Sequence, residues 1–189
     1  MRIYLVRHGE TIYNAKKLLQ GQKNIDLNEN GFNQAKLLSE KLNHITFSKV
    51  FTSDLKRAIN TAKPINEMPI IDKRLRERNF GIFEGKNAKE VDWESLEGDF
   101  FSNKPVSGES IYELIERTRE FLDVLNNENG DILIVSHGGT MASLIYLLSN
   151  KTLEEAFQKM KIDHSSVWMF EKEGTNYILK IENNKEISK

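Results

Sequence analysis

Short apolar runs and longer amphipathic stretches alternate along the chain. Runs rich in β-branched residues predict buried strands at residues 2–6, 49–52 and 131–136, and a further strand at 68–72. Segments 166–170 and 177–181 flank the turn sequence Glu-Gly-Thr-Asn, which predicts an antiparallel hairpin at the edge of a sheet.

Four stretches between these strands predict helices. The first spans 27–43 with Asn28 as its cap, and the second starts from Ser53 as cap and runs to about residue 62, with Pro64 beyond its end. The third spans 111–125 and the fourth, which is mostly apolar, spans 140–148. The predicted apolar faces of the first and third helices are Phe32, Ala35, Leu38 and Leu42, and Ile111, Leu114, Ile115, Phe121, Leu122 and Leu125.

This order of elements predicts an α/β fold. Strands that alternate with helices form a mainly parallel sheet with helices on both faces, here with the antiparallel hairpin at one edge near the C-terminus. Residues 1–189 fit one domain. Residues 84–110 have the weakest pattern, with seven acidic and three basic residues, and we interpret them as a short excursion that covers the site like a lid.

Composition narrows the class of partner. The 27 basic and 28 acidic residues nearly cancel, so we expect no nucleic-acid partner. The apolar runs are too short to cross a bilayer, and the first residues lack the pattern of a signal peptide, so we expect a cytoplasmic protein with no membrane partner. The absence of cysteine excludes disulfides and thiolate metal sites. The sequence does not indicate an oligomeric state.

Two histidine–glycine pairs follow predicted strands. Arg7, His8 and Gly9 end the first strand, and His137 and Gly138 end another before a helix begins. Arg57 lies one turn into the helix after the second strand. Ligands bind at the carboxyl ends of such strands, and two guanidiniums with the N–H groups of a helix start form a clamp for phosphate oxygens. A histidine inside that clamp is a candidate nucleophile.

For His8 to act as a nucleophile, one ring nitrogen must be unprotonated. The ordinary pKa of histidine is near 6.5, and neighbouring positive charge favours the neutral form. We expect a backbone carbonyl near Gly9 to accept the proton of the other nitrogen and so to fix the tautomer.

The motifs resemble those of the histidine phosphatase superfamily, whose best-known branch is cofactor-dependent phosphoglycerate mutase. LVRHGET at 5–11 resembles its signature, and Asn14, QG at 20–21, LNENGFNQA at 27–35, TSDLKRA at 52–58, RLRERNFGIFEG at 74–85, SGES at 107–110 and VSHGG at 135–139 follow in family order. The resemblance covers about residues 1–170, and the ordered set is far more specific than any one motif.

The resemblance implies a role for each matching residue. His8 becomes phosphorylated, Arg7, Arg57 and His137 hold the transferring phosphoryl group, and Glu77 is the general acid. Asn14, Gln20, Gly21 and the Gly138 amide contact the substrate. It also implies that no metal ion or other cofactor takes part, because the arginines supply the charge that Mg²⁺ supplies elsewhere.

Several of these positions have a second interpretation. Glu77 lies among Lys73, Arg74, Arg76 and Arg78 and could simply form an ion pair with one of them. His44 and His164 match no motif, so we expect surface or packing positions for both. Trp93, Phe100 and Phe101 either pack the excursion or contact the substrate.

The predicted activity is hydrolysis of a small phosphorylated metabolite through a phosphohistidine. A mutase is the first alternative, but the excursion is short, net acidic and free of arginine, whereas a mutase holds a very anionic acid with basic residues. A non-catalytic phospho-ligand-binding protein of the same fold is the second. Within the family, the sequence does not separate broad-specificity, phosphoserine, sugar-phosphate and α-ribazole phosphate hydrolases.

Overall fold

The computed structural model describes residues 1–125 and 128–186. Its strands are β1 (Arg2–Arg7), β2 (Phe47–Thr52), β3 (Ile70–Ile71), β4 (Asp131–Ser136), β5 (Val167–Glu173), β6 (Asn176–Glu182) and β7 (Lys185–Glu186). Its α-helices are α1 (Ile12–Ala15), α2 (Glu29–Leu42), α3 (Lys56–Ala62), α4 (Ile111–Val124) and α5 (Gly138–Leu148). One turn of 3-10 helix covers Lys73–Leu75, another covers Gly81–Phe83, and a π-helical turn covers Glu155–Lys159.

The strands of the described residues form one sheet in the order β3-β2-β4-β1-β5-β6-β7. The half made of β3, β2, β4 and β1 is parallel, and β5, β6 and β7 continue it in antiparallel fashion. The predicted α/β architecture with an antiparallel edge hairpin is therefore confirmed. The hairpin strands are longer than predicted, and β7 extends the hairpin by a further short strand.

Helices cover both faces of the sheet, as predicted. Along β1, Ile3 and Leu5 pack in a core with α4 and α5, while Tyr4 and Val6 pack in a second core with α2 and α3. A strand buried on both faces has no polar side to show, which explains the uninterrupted apolar run that precedes Arg7.

The first long helix, α2, begins where the sequence predicted. The Asn28 side chain accepts a hydrogen bond from the Gly31 N–H at 2.8 Å and so caps the helix. Ala35, Leu38 and Leu42 are buried as expected, but the placement of Phe32 on the apolar face was wrong, because its ring is 48% exposed.

The prediction for α3 was wrong at its start. The helix begins at Lys56 after Leu55, which offers no side-chain cap, and Ser53 lies outside it. The helix ends at Ala62, before Pro64, as predicted. The strand predicted at 68–72 is reduced to the two exposed residues of β3.

The excursion at 84–110 attaches to the body of the protein near residues 18 and 19. The Gly85 N–H donates to the Leu19 carbonyl, and Leu18 forms an isolated bridge with Asn87. The Trp93 ring stacks edge-on against Phe83 at 5.4 Å between centroids. The interpretation of this segment as a lid-like cover of the site stays a prediction. No helix in the described part of the chain is long and apolar enough to cross a membrane.

Candidate active site

The two histidine–glycine pairs meet at the carboxyl edge of the sheet. Strands β1 and β4 are parallel neighbours, with Arg7 opposite Ser136 in the register. The His8 N–H donates to the Ser136 carbonyl at 2.9 Å, and the ring centroids of His8 and His137 are 5.1 Å apart. The strand pairing therefore brings together residues that are far apart in the sequence.

The ring of His8 is held in the neutral form with a defined tautomer. Its Nδ1 lies 2.7 Å from the Gly9 carbonyl oxygen, which only accepts, so the proton is on Nδ1 and Nε2 keeps its lone pair. Burial, and then the positive charges of Arg57 and Arg7, hold the pKa of His8 well below 6.5. The predicted carbonyl contact at Gly9 is confirmed.

The loop after His8 depends on close backbone approach. A Cβ on Gly9 would come within 2.6 Å of the Gly31 carbonyl oxygen. The Gly9 N–H donates to Thr61 Oγ1 of α3 at 2.9 Å. Glycine at this position thus lets the loop after His8 pack directly on the start of α2.

Arg57 is completely buried and is held by three contacts. Its Nη1 donates to the Lys23 carbonyl at 2.8 Å, its Nη2 donates to the Gly21 carbonyl at 2.7 Å, and its Nε donates to His137 Nδ1 at 3.2 Å. Burial lowers its pKa to about 10, which leaves the guanidinium charged at neutral pH. Two nearby backbone carbonyls therefore fix a full positive charge beside the paired histidines.

Arg7 supplies a second cation at the end of β1. Its Nη1 donates to the Ile162 carbonyl at 2.6 Å, while its buried Nε has no partner in the described part of the chain. Burial lowers the pKa of Arg7, and the nearby Glu77 carboxylate acts in the opposite direction. A buried, partly unsatisfied guanidinium is suited to bind an anion.

His137 is fully buried with both ring nitrogens in contact. Because Nδ1 accepts from Arg57, the proton is on Nε2, which donates to Ser53 Oγ at 2.8 Å. Burial, and then the charge of Arg57, hold the pKa of His137 well below 6.5. Sequence reasoning assigned Ser53 to a helix cap and missed this contact.

Glu77 approaches the same place from another segment. Its Oε1 accepts from the Arg78 N–H at 2.8 Å, and its Oε2 accepts from the Gly139 N–H at 3.1 Å. A Cβ built on Gly138 would lie 3.7 Å from both the Arg7 guanidinium carbon and Glu77 Oε2, so these groups border one space. The Gly138 N–H is at the first position of α5, where such groups lack an acceptor within the helix.

The neighbouring cations of Glu77 have other partners. Arg74 pairs with Asp72 at 2.6 Å, and Arg76 pairs with Asp54 at 2.5 Å. Arg78 donates to the Glu109 carbonyl and to Asn103. These contacts do not support the ion-pair interpretation of Glu77.

Three of the four residues predicted to contact the substrate are Asn14, Gln20 and Gly21. Thr11 Oγ1 lies 2.9 Å from both Asn14 Oδ1 and Gln20 Oε1, so its one proton is donated to one or shared by the two. The Gly21 backbone adopts a positive φ of 50°, and its carbonyl holds Arg57. Direct contact of these residues with a substrate stays a prediction.

His164 was expected at a surface or packing position. The structure brings its ring to 5.9 Å from the ring of His8, with a buried Nε2 that has no partner among the described residues. Burial and the charge of Arg7 lower its pKa to about 4. No motif marked it, because β5 and the preceding loop join the site only through the sheet pairing.

Metal ligands are not clustered in this site. In residues 1–125 and 128–186, no group of three or more His, Cys, Asp and Glu side chains is arranged to hold a metal ion. The positive charge at the site comes instead from Arg7 and Arg57.

Comparison with known proteins matches this arrangement to a family. The family model of the histidine phosphatase superfamily (branch 1) matches residues 3–185. The protein of Hydrogenobacter thermophilus named "Putative phosphoserine phosphatase 2" is 36% identical over 188 residues, which covers 92% of this chain and 90% of that protein.

Two further relatives differ in their named activity. The "Probable phosphoglycerate mutase GpmB" of Erwinia tasmaniensis is 36% identical over 157 residues, covering 77% of this chain and 73% of the relative. Among solved structures, a mutant phosphoserine phosphatase from Entamoeba histolytica in complex with phosphoserine has a TM-score of 0.86 at 26% identity, covering 96% of each chain.

Proposed function

The chain belongs to the histidine phosphatase superfamily, and from that premise we propose that it hydrolyses phosphomonoesters through a phosphohistidine on His8. The observation that carries the proposal is the state of that ring. A neutral imidazole with its proton fixed on Nδ1 by Gly9 offers Nε2 as a nucleophile, and it does so beside the buried guanidinium of Arg57 and the partly buried one of Arg7.

In the first step, the Nε2 lone pair of His8 attacks phosphorus and forms a P–N bond. The P–O bond to the organic group breaks, and its electron pair stays on the leaving oxygen. Glu77, in its protonated form, gives that oxygen a proton, so an alcohol leaves. Arg7, Arg57 and the Gly138 N–H stabilise the negative charge on the three equatorial oxygens.

In the second step, water attacks phosphorus and the P–N bond breaks. The carboxylate of Glu77 now takes the proton of the water, which restores its acid form. Inorganic phosphate leaves, and His8 regains the neutral ring with its Nδ1–H still donated to the Gly9 carbonyl oxygen. Neither step uses a metal ion or other cofactor, and we expect none in this enzyme.

Hydrolysis is favoured over mutase activity by the excursion at 84–110. A mutase must hold a substrate with several negative charges, and this segment is net acidic and has no arginine. The named activities of the relatives include both classes, so the choice rests on this segment.

The test is a panel of phosphorylated metabolites that includes phosphoserine, 3-phosphoglycerate and sugar phosphates, measured as phosphate release. For 3-phosphoglycerate, isomerisation is followed in parallel, with and without its bisphosphate cofactor. We expect phosphate release from several esters and little isomerisation. Isomerisation much faster than phosphate release would favour the mutase, and binding of the esters without turnover would favour a non-catalytic protein.

A further inference from the structure

An apolar cavity of about 390 Å³ reaches Gly139 in the first turn of α5. Its walls are mostly aromatic and aliphatic: Leu19, Phe80, Trp93, Phe100, Leu114 and Phe157. Trp93 and Phe100 come from the excursion at 84–110, so this segment forms one wall of the cavity. A cavity of this size accommodates a small organic group rather than only water.

Gly139 connects the cavity to the reaction centre. It lines the cavity, and its N–H donates to Glu77 Oε2 at 3.1 Å. Glu77 therefore borders both the space beside Arg7, where the phosphoryl oxygens bind in the proposed mechanism, and Gly139 in the cavity wall. In the mechanism above, Glu77 protonates the oxygen that joins phosphorus to the organic group, so the organic group lies on the cavity side of that oxygen.

Two of the three guanidinium nitrogens of Arg78, the cation in the cavity wall, already have acceptors. Arg78 is buried, its Nε donates to the Glu109 carbonyl at 2.8 Å, and its Nη2 donates to the carbonyl and side-chain oxygens of Asn103. Its guanidinium also lies over the rings of Phe80 and Trp93. A carboxylate on the substrate would find only Arg78 Nη1 without an acceptor among the described residues and would otherwise lie against aromatic and aliphatic walls, where a poorly paired charge is costly.

We propose that this cavity binds the organic part of the substrate and that this part is an uncharged alkyl or aryl group. The inference rests on the proposed function and narrows its substrate class. It distinguishes this chain from a phosphatase of amino-acid or carboxylic-acid phosphates, because phosphoserine and 3-phosphoglycerate would bring charged groups into a cavity whose walls are almost entirely apolar.

The experiment measures kcat/KM for ethyl, butyl and hexyl phosphate, which have nearly equal leaving groups. Each methylene buried in the cavity raises kcat/KM up to about fourfold, so hexyl phosphate should exceed ethyl phosphate by roughly 10- to 200-fold. A matched ester with the same six-carbon chain ending in a carboxylate, 6-phosphonooxyhexanoate, should be at least about tenfold poorer than hexyl phosphate. Phosphoserine and 3-phosphoglycerate should be poorer than butyl phosphate.

A pair of variants assigns the effect to this cavity. Phe100→Ser should flatten the dependence of kcat/KM on chain length, and Phe157→Ser provides a second test from another wall. Phe32→Ser is the matched control, because Phe32 is 48% exposed and Phe100 is 46% exposed, but Phe32 lies on α2 away from the cavity. The control should keep both the activity on ethyl phosphate and the dependence on chain length.

Two results would overturn the inference while the proposed function stands. One is equal or better turnover of phosphoserine or of the carboxylate ester compared with hexyl phosphate. The other is an unchanged chain-length dependence in both Phe100→Ser and Phe157→Ser. Turnover of no ester at all would overturn the proposed function, and this inference with it.

Discussion

Arg57 donates from its Nε to His137 Nδ1, and this one contact fixes the tautomer of a fully buried histidine. Since Nδ1 accepts, the ring proton is on Nε2 and is given to the hydroxyl of Ser53. Arg57, which binds phosphoryl oxygens in the proposed mechanism, therefore also determines that the ring proton of His137 is on Nε2. Ser53, Arg57 and His137 act as one connected unit in the site.

Replacement of Ser53 by alanine should weaken both stability and catalysis. Ser53→Ala leaves the buried Nε2–H of His137 without an acceptor, which costs about 1–3 kcal/mol of the free energy of unfolding. We also expect a lower kcat/KM, because the orientation of His137 is no longer fixed from both sides. Urea denaturation and phosphate release measure the two effects.

Ser166→Ala is the matched control for Ser53→Ala. Ser166 is also fully buried, but its hydroxyl has no partner among the described residues. Its loss should leave stability unchanged or slightly raised. Equal effects of the two substitutions would mean that the contact between Ser53 and His137 contributes nothing.

The His8→Ala variant should lose the covalent intermediate. A short pulse with labelled phosphomonoester should leave acid-labile, alkali-stable label on the natural protein, as expected for phosphohistidine. The variant should carry none, and kcat should fall at least about 10⁴-fold, as for removal of other catalytic nucleophiles. His44→Ala, at an exposed position, serves as the control that keeps the label. Label retained by His8→Ala with intact activity would place the nucleophile elsewhere.

Replacement of Glu77 by glutamine should reduce the rate to an extent that depends on how basic the leaving group is. An alkoxide needs a proton in the transition state and a nitrophenolate does not, so Glu77→Gln should slow an alkyl phosphate by about 10²–10⁴-fold and p-nitrophenyl phosphate far less. The comparison uses kcat/KM or single-turnover phosphorylation, because Glu77 also assists the second step. An equal loss for both esters would mean that Glu77 only positions its neighbours, with His137 the next candidate for the acid.

Stability should fall between about pH 6.5 and pH 4. The folded protein holds the pKa values of His8, His137 and His164 below 6.5, that of His164 at about 4, while the unfolded chain protonates these rings below about pH 6.5. The unfolded state therefore binds more protons in this range, so the stabilisation is complete above pH 6.5 and is lost as the pH falls. Urea midpoints measured from pH 7.5 down to pH 5 test this, because most carboxylates titrate below that range.

The slope of the free energy of unfolding against pH should correspond to an uptake of about two to three protons on unfolding. His164→Gln should reduce that uptake by up to one proton. A urea midpoint that does not change between pH 7 and pH 5 would contradict the neutral state of these three rings.

Activity should survive removal of divalent ions. The two guanidiniums of Arg7 and Arg57 supply the charge that a metal ion would otherwise bring to the phosphoryl oxygens. Exhaustive dialysis against EDTA should leave kcat/KM within about twofold of the untreated protein, with an assay free of added metal. Loss of activity that one divalent ion restores would assign the enzyme to another mechanistic class.

The sequence was sufficient to predict elements with a strong hydrophobic pattern and contacts between residues close together in the chain. β4 has the predicted bounds, the Asn28 cap is where its motif indicated, and the carbonyl of Gly9 is one residue from the ring it orients. The order of the elements also implied that His8 and His137 end parallel strands at the same edge of the sheet.

The sequence was insufficient where partners meet only in three dimensions. Ser53 resembles a helix cap until the strand pairing brings His137 to its hydroxyl, and His164 gains its position beside His8 only because β5 pairs with β1. The arginines around Glu77 find acceptors in distant segments, such as Asp54 for Arg76. Periodicity carries no information about contacts of this kind.

The position of β1 in the middle of the sheet has a consequence for synthesis on the ribosome. Ile3 lies between Ile132 of β4 and Phe170 of β5, so both neighbours of the strand are made long after it. Synthesis adds about 5–20 residues per second, so the apolar faces and both edges of β1 stay without partners for many seconds. Contacts so distant in sequence also slow folding. In a nascent chain that stops before Phe170, one edge of β1, the strand that precedes His8, would stay unpaired and could pair with other chains.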